Sequence, residues 1–312
     1  MSSADLQKDV VRASGQPWVD PQMQAILNDA VAIPPTEDIK QLRQASVQSK
    51  QIWNDVDLPD GMAVTSDAVT LGGNERLMRV YTPSLTTGTD ILFVHGGGWS
   101  ICNLDTHHAI CIALAETTSR RVIALHPRQV PECPYPAPLD DVVAFIGQTQ
   151  RPLILAGDSA GANLALAAAL RLSAGGSVNQ VSALVLMYGC YRNQSDTQSH
   201  HRFGDGRFGL TSARMQLFWS LYLGDRDDVS FGDLSSQGFG GLPPTYIGAA
   251  ALDPLLDDSN WLARKLHGSD VAHTARTYDG VVHGFLHYVK GLDAADKAMA
   301  DISEFLTQHA LQ

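Results

Sequence analysis

The stretch from residue 152 to residue 170 limits the possible folds more than any other. Pro152-Leu153-Ile154-Leu155-Ala156 is a short apolar run. It leads directly into Gly157-Asp158-Ser159-Ala160-Gly161, a single G-x-S-x-G pentapeptide. Ala162-Asn163-Leu164-Ala165-Leu166-Ala167-Ala168-Ala169-Leu170 follows, built from strong helix formers. Strand, tight turn and helix in that order present a serine hydroxyl clear of a sheet. The flanking glycines give clearance because they lack a Cβ. The new helix turns its positive end toward charge developing at Ser159.

The rest of the chain repeats this alternation. Ala68–Leu71 and Leu77–Tyr81 flank Gly72-Gly73-Asn74-Glu75, a hairpin signal. Strands are predicted at 91–94, 122–125, 183–187, 246–249 and 274–278, and helices at 109–118, 139–148, 259–267 and 294–309. Apolar strands separated by helices predict an α/β fold, with a mostly parallel sheet covered on both faces. Before it, residues 25–27 and 37–53 look helical, with Ile39, Leu42, Val47, Ile52 and Trp53 as candidate apolar contacts. One segment breaks the rhythm: Tyr191 to Gly241 is polar, with a helix predicted at Ser212–Leu223. Insertions this long are usually functional, and Phe208, Phe218, Trp219 and Tyr222 argue that it is packed.

Composition excludes several classes. The 312 residues carry a net charge of -11, which disfavours nucleic acid and anionic membrane surfaces. A hydrophobic fraction of 44% with 18% charged residues is that of a water-soluble globular protein, and no apolar run is long enough for a membrane span. Cys102, Cys111, Cys133 and Cys190 form no C-x-x-C pair, and the opening residues lack a basic, then apolar, leader. The expectation is a cytoplasmic protein with free thiols, Cys102 among them as a buried packing residue. A homodimer is left open.

A serine needs a base, and the base needs a carboxylate to orient it. In elbow-type hydrolases these follow the serine as acid, then histidine, each at the carboxyl end of a strand. Asp253, after the strand near residue 250, and His283, after the last strand, meet that requirement. Asp257, Asp258 and Asp279 compete as acids, and His273 and His287 as bases. His273 precedes its strand and so lies at the wrong end, while His287 reads as a surface residue. His95-Gly96-Gly97-Gly98-Trp99 follows the 91–94 strand, and its glycines let backbone amides face a substrate oxygen. With the amide of Ala160, it reads as an oxyanion hole, and His95 as a brace for the loop. The pairs His107-His108 and His200-His201 lack metal-ligand spacing, so no metal and no organic cofactor is expected.

These motifs, with Asp105-Thr106-His107, Pro131-Glu132, Pro134-Tyr135-Pro136-Ala137, Asp253-Pro254-Leu255-Leu256-Asp257, Val282-His283-Gly284-Phe285 and Gly241-Leu242-Pro243-Pro244, resemble the hormone-sensitive lipase family. This is the bacterial family IV esterase group of the α/β-hydrolase fold. The resemblance spans about residues 60 to 290. It implies one α/β-hydrolase domain over 1–312, with a helical cap formed by about 1–55 and 191–241. It also implies a triad of Ser159, Asp253 and His283, with an oxyanion hole from the amides of Gly97, Gly98 and Ala160. The implied reaction is hydrolysis of small short-chain carboxylic esters, acetyl to about hexanoyl, through an acyl-enzyme. The chain departs from the family at Pro127-Arg128-Gln129-Val130, at Ala162 and at Ser100-Ile101-Cys102, which touches pocket shape and not catalytic groups. An amidase or formamidase would use the same triad. A silent binding protein is the alternative from another class, although such family members have lost the histidine that this chain retains.

Overall fold

In the computed structural model, which describes residues 17–30 and 33–310, the alternation becomes one eight-stranded sheet. Its strands are β1 (Ala63–Leu71), β2 (Asn74–Thr82), β3 (Ile91–Val94), β4 (Val122–Leu125), β5 (Leu153–Asp158), β6 (Val181–Met187), β7 (Thr245–Leu252) and β8 (His273–Val282). The spatial order is β1-β2-β4-β3-β5-β6-β7-β8. β1 and β2 form the expected hairpin, and β2 pairs antiparallel with β4. From β4 to β8 every pairing is parallel. The strands run longer than their most apolar stretches: β8 continues through Val282, and β7 through Leu252.

The inner strands read as unbroken apolar runs because both faces are covered. Along β5, Leu153 and Leu155 face one core, Ile154 and Ala156 the other. The first core is closed by α4 (Ala137–Gly147), α5 (Ala160–Ala174), α7 (Ser212–Leu223) and α8 (Leu256–Gly268). The second is closed by α1 (Pro21–Asp29), α3 (His108–Thr118) and α9 (Asp293–His309). Helix α5 is buried nearly all round, so its alanine-rich sequence carries no polar stripe.

Two helices of the N-terminal region lie outside these layers in sequence but not in space. Asp20 and Asp38 cap α1 and α2 (Ile39–Asn54) through their first-turn amides. Of the apolar contacts expected on α2, Leu42 is fully buried, Ile39 half-buried, and Trp53 meets Tyr288 edge-on at 5.0 Å. Val47 and Ile52 instead face solvent, Ile52 at 77% exposure. The reason is that α2 docks largely through polar side chains. The insertion carries α7 over the expected residues, plus a short helix, α6 (Gln198–Phe203), that composition does not announce. Phe208, Phe218, Trp219 and Tyr222 are all buried, as a packed segment requires. The opening residues and positions 31–32, part of the implied cap, lie outside the described residues. No described helix is long and apolar enough to cross a membrane.

Candidate active site

Ser159 sits between the last residue of β5 and the first of α5, with φ 51° and ψ -120°. A non-glycine residue held there is strained, and the packing that enforces it is visible. A Cβ at Gly157 would lie 2.5 Å from the Gly161 carbonyl carbon, and one at Gly161 would lie 2.0 Å from the Val94 oxygen. Both contacts are with backbone, so only glycine fits. β3, β5 and α5 can then close around the turn.

Chain order brings the partners to the same end of the sheet. Asp253 follows β7 and His283 follows β8. His283 Nε2 lies 3.0 Å from Ser159 Oγ, and its Nδ1 lies 2.8 Å from Asp253 Oδ2. The other Asp253 oxygen accepts the Leu255 amide at 2.8 Å, which fixes the carboxylate plane. A carboxylate can only accept, so Nδ1 donates and Nε2 is left to accept the serine proton. Tyr188 packs its ring edge-on to His283 at 5.0 Å. Ser159 is only 7% exposed and Asp253 is fully buried.

The rival residues go elsewhere. His273 opens β8 and donates Nδ1–H to the Val271 carbonyl, at the far end of the strand. Asp257 receives the Ser199 amide, Asp258 holds Arg192 in a buried ion pair, and Asp279 is exposed.

The glycine loop after β3 lies beside the serine. Gly97 and Gly98 have φ of 105° and 56°. The Gly97 carbonyl accepts from the Ser100 and Ile101 amides at 3.0 and 2.8 Å. Because a trans peptide points its N–H opposite its C=O, the Gly98 N–H is turned away from that anchor. Among the described residues, no protein group accepts the N–H of Gly97, Gly98 or Ala160. His95 makes bracing contacts of the expected kind: Nδ1–H donates to the Gly96 carbonyl at 2.7 Å, and Nε2 accepts from His126 Nδ1 at 2.7 Å. Burial, then the neighbouring His126, holds His95 neutral, well below the usual imidazole range.

Sequence reading assigned no role to Asp158. Its Oδ1 accepts the Gly96 amide at 2.8 Å, tying the glycine loop to the residue before Ser159. His107 Nε2 approaches the same oxygen at 3.2 Å, off the line of a hydrogen bond. Burial works against the Asp158 charge, but His107, His287 and the Gly96 amide outweigh it and hold the carboxyl below its usual range. His287 is a correction. It is buried, not a surface residue, with its ring edge-on to His107 at 4.7 Å and its Nδ1 unpaired. The 3₁₀ turn Phe285–Tyr288 rolls it inward along with Phe285 and Leu286. His107, Asp158 and His287 place one ligand-type atom each within 4.8 Å of one another. They are the one such group among the described residues. The other histidines of the two adjacent pairs diverge: His108 meets Tyr81, His200 meets Ser212, and His201 meets Asp196.

Known proteins match this arrangement. A family model described as the alpha/beta hydrolase fold matches residues 91–287. The acetyl esterase of Salmonella agona is 32% identical over 306 residues, covering 91% of this chain and 93% of its own. That of Salmonella typhi matches at the same identity and coverage. A thermostable esterase from Pseudomonas putida superposes with a TM-score of 0.85 at 25% identity, over 96% of this chain and 100% of its own. The Pyrobaculum calidifontis esterase gives 0.84 at 24%, over 93% and 98%, and so speaks for the fold. The chain belongs to the α/β-hydrolase fold family, among the ester hydrolases that resemble hormone-sensitive lipase.

Proposed function

We propose that this carboxylic ester hydrolase works through an acyl-enzyme on Ser159, on short acyl esters from acetyl to about hexanoyl. His283 takes the serine proton as the hydroxyl attacks the ester carbonyl. Asp253 orients the imidazole and stabilises its charge. The oxyanion rests on the amides of Gly97, Gly98 and Ala160, and each such donor is worth about 3 kcal/mol in the transition state. His283 then protonates the departing alcohol, and water, activated by the same ring, cleaves the acyl-enzyme.

One observation carries this reading: a serine–imidazole–carboxylate chain with contacts of 3.0 and 2.8 Å, beside three amides with no internal acceptor. The acyl range is supported by the relatives named acetyl esterases. A Cβ on Gly98 would fall 2.1 Å from the Phe218 ring, so α7 sits directly against the oxyanion loop. In this reading α1, α2 and the 191–241 insertion form a cap on the sheet domain. The four thiols are unpaired and three are buried, which supports the cytoplasmic location.

The test is a chromogenic ester series (acetyl, butyryl, hexanoyl, decanoyl) with an arylamide beside it. Acetyl and butyryl esters turn over fastest, decanoyl poorly, and Ser159→Ala abolishes all turnover without changing the melting transition. Faster cleavage of the arylamide would replace the esterase reading with an amidase. No turnover on any substrate would favour a binding protein.

A further inference from the structure

The oxyanion loop is held from outside as well as by its own turn. Besides Gly97 and Gly98, it carries two non-glycine residues in left-handed conformations, Trp99 at φ 57° and Cys102 at φ 67°. Such residues persist only where their surroundings over-determine them. The Trp99 ring is fixed by stacking on Tyr222 at 4.1 Å and by Trp219 at 4.6 Å, and the loop's carbonyls are fixed by polar partners. The Trp99 carbonyl accepts the Val130 amide at 3.0 Å, and the carbonyls of Ile101 and Cys102 accept Gln129 Nε2 at 3.0 and 3.1 Å. The remaining carbonyl, that of Ser100, is taken by Arg43 Nε at 2.8 Å.

Arg43 lies on α2, far from the triad in sequence, and its guanidinium is fully engaged. Nη2 donates to the Val130 carbonyl at 3.0 Å, and Nη1 and Nη2 both meet the Glu132 carboxylate at 2.7 Å. A planar fork with this many donors joins the glycine loop to the 130–132 segment in a way an ammonium cannot. The same helix adds Ser46 Oγ against Cys102 Sγ at 3.1 Å and Asn54 Nδ2 on the Thr106 carbonyl at 3.1 Å. The Ser100–Ile101 peptide that Arg43 holds also donates its N–H, that of Ile101, to the Gly97 carbonyl at 2.8 Å, beside the Ser100 amide at 3.0 Å. Arg43 therefore holds the peptide whose N–H is one of two that set the direction of the Gly97–Gly98 peptide.

We propose that Arg43 is a positioning residue for the oxyanion hole, fixing the Gly97–Gly98 peptide through Ser100 and so making α2 part of the catalytic apparatus. This rests on the assignment of those amides to the oxyanion. The Arg43–Glu132 pair stays charged in any ordinary assay, since the guanidinium holds the Glu132 carboxyl down at about 2.

The experiment compares wild type with Arg43→Ala, Arg43→Lys and Glu132→Gln on a chromogenic acetate ester, and measures inhibition by trifluoroacetone, which forms an oxyanion when Ser159 adds to it. Arg43→Ala lowers kcat about 10- to 100-fold with KM within twofold, and weakens trifluoroacetone binding by a similar factor. Added guanidinium at millimolar concentration restores part of kcat. Arg43→Lys falls between, and Glu132→Gln, which leaves the Ser100 contact in place, changes kcat less than threefold. A raised KM with unchanged kcat, or a kcat loss with unaltered trifluoroacetone affinity, overturns the proposal and leaves α2 as a lid. Should Arg43→Ala fold poorly, the Arg43→Lys and Glu132→Gln comparison decides alone. Failure of the reading beneath it looks different: wild-type turnover would then persist in Ser159→Ala.

Discussion

Asp253 illustrates how much depends on one proton. Its carboxylate obliges the His283 Nδ1 to carry hydrogen, which leaves Nε2 free to accept from Ser159. In Asp253→Asn the amide can donate to Nδ1, placing the imidazole hydrogen on Nε2, where it opposes the serine. Turnover should fall about 10⁴-fold with KM little changed. Steady-state kinetics on an acetate ester checks this, and a loss below tenfold would contradict the orienting role. Ser159, Asp253 and His283 were legible in the sequence because the turn motif and the strand ends fix where they must stand. Asp158, Arg43 and His287 were not, because their meaning lies in distant partners. Asp158 reaches an amide 62 residues away, and Arg43 a carboxylate 89 residues away. No local pattern records such a pairing.

Elements follow the same division. Strands and core helices were legible because burial on both faces writes an apolar run into the chain. Helix α2 was half legible: its existence is plain, but Val47 and Ile52 mislead because Arg43, Ser46 and Asn54 share its docking face with Leu42 and Trp53. Helix α6 is six residues, five of them polar or charged, and it forms where its Ser199 meets the start of α8. The junction there depends on Asp258 in the first turn of α8. It accepts the Tyr191 amide at 2.9 Å and the Arg192 Nε at 2.8 Å, both at the entrance of the insertion. Asp258→Ala would strip the Arg192 guanidinium of its carboxylate and leave the Tyr191 amide unpaired, and should cost about 3–5 kcal/mol in urea unfolding. A cost under 1 kcal/mol would show that the insertion is tethered elsewhere.

For the whole molecule, the buried imidazoles set how stability responds to acid. Burial, then nearby arginines, lowers His126 to about 4, and His95 is lowered as well. Above the ordinary imidazole value of about 6.5, both residues are neutral folded or unfolded, and their contribution is complete. Between about 6.5 and 4 the unfolded chain takes up protons that the folded chain refuses, so stability falls as pH falls. Each group contributes a slope of at most about 1.4 kcal/mol per pH unit. Urea midpoints at pH 7, 5.5 and 4.5 should decline in wild type and decline less in His126→Gln; equal declines would exclude His126 as a source. The sheet order has a separate consequence. Ser159 follows an interior strand with neighbours on both sides, whereas His283 follows β8, which bonds to β7 alone in the sheet. A backbone contact from Asp20 to Gly280 ties down the outer flank of β8. Reactivity and compactness are thereby entrusted to parts of unequal endurance. Rising urea should extinguish ester turnover before the far-ultraviolet circular dichroism of the molecule changes, as the margin frays while the centre stands.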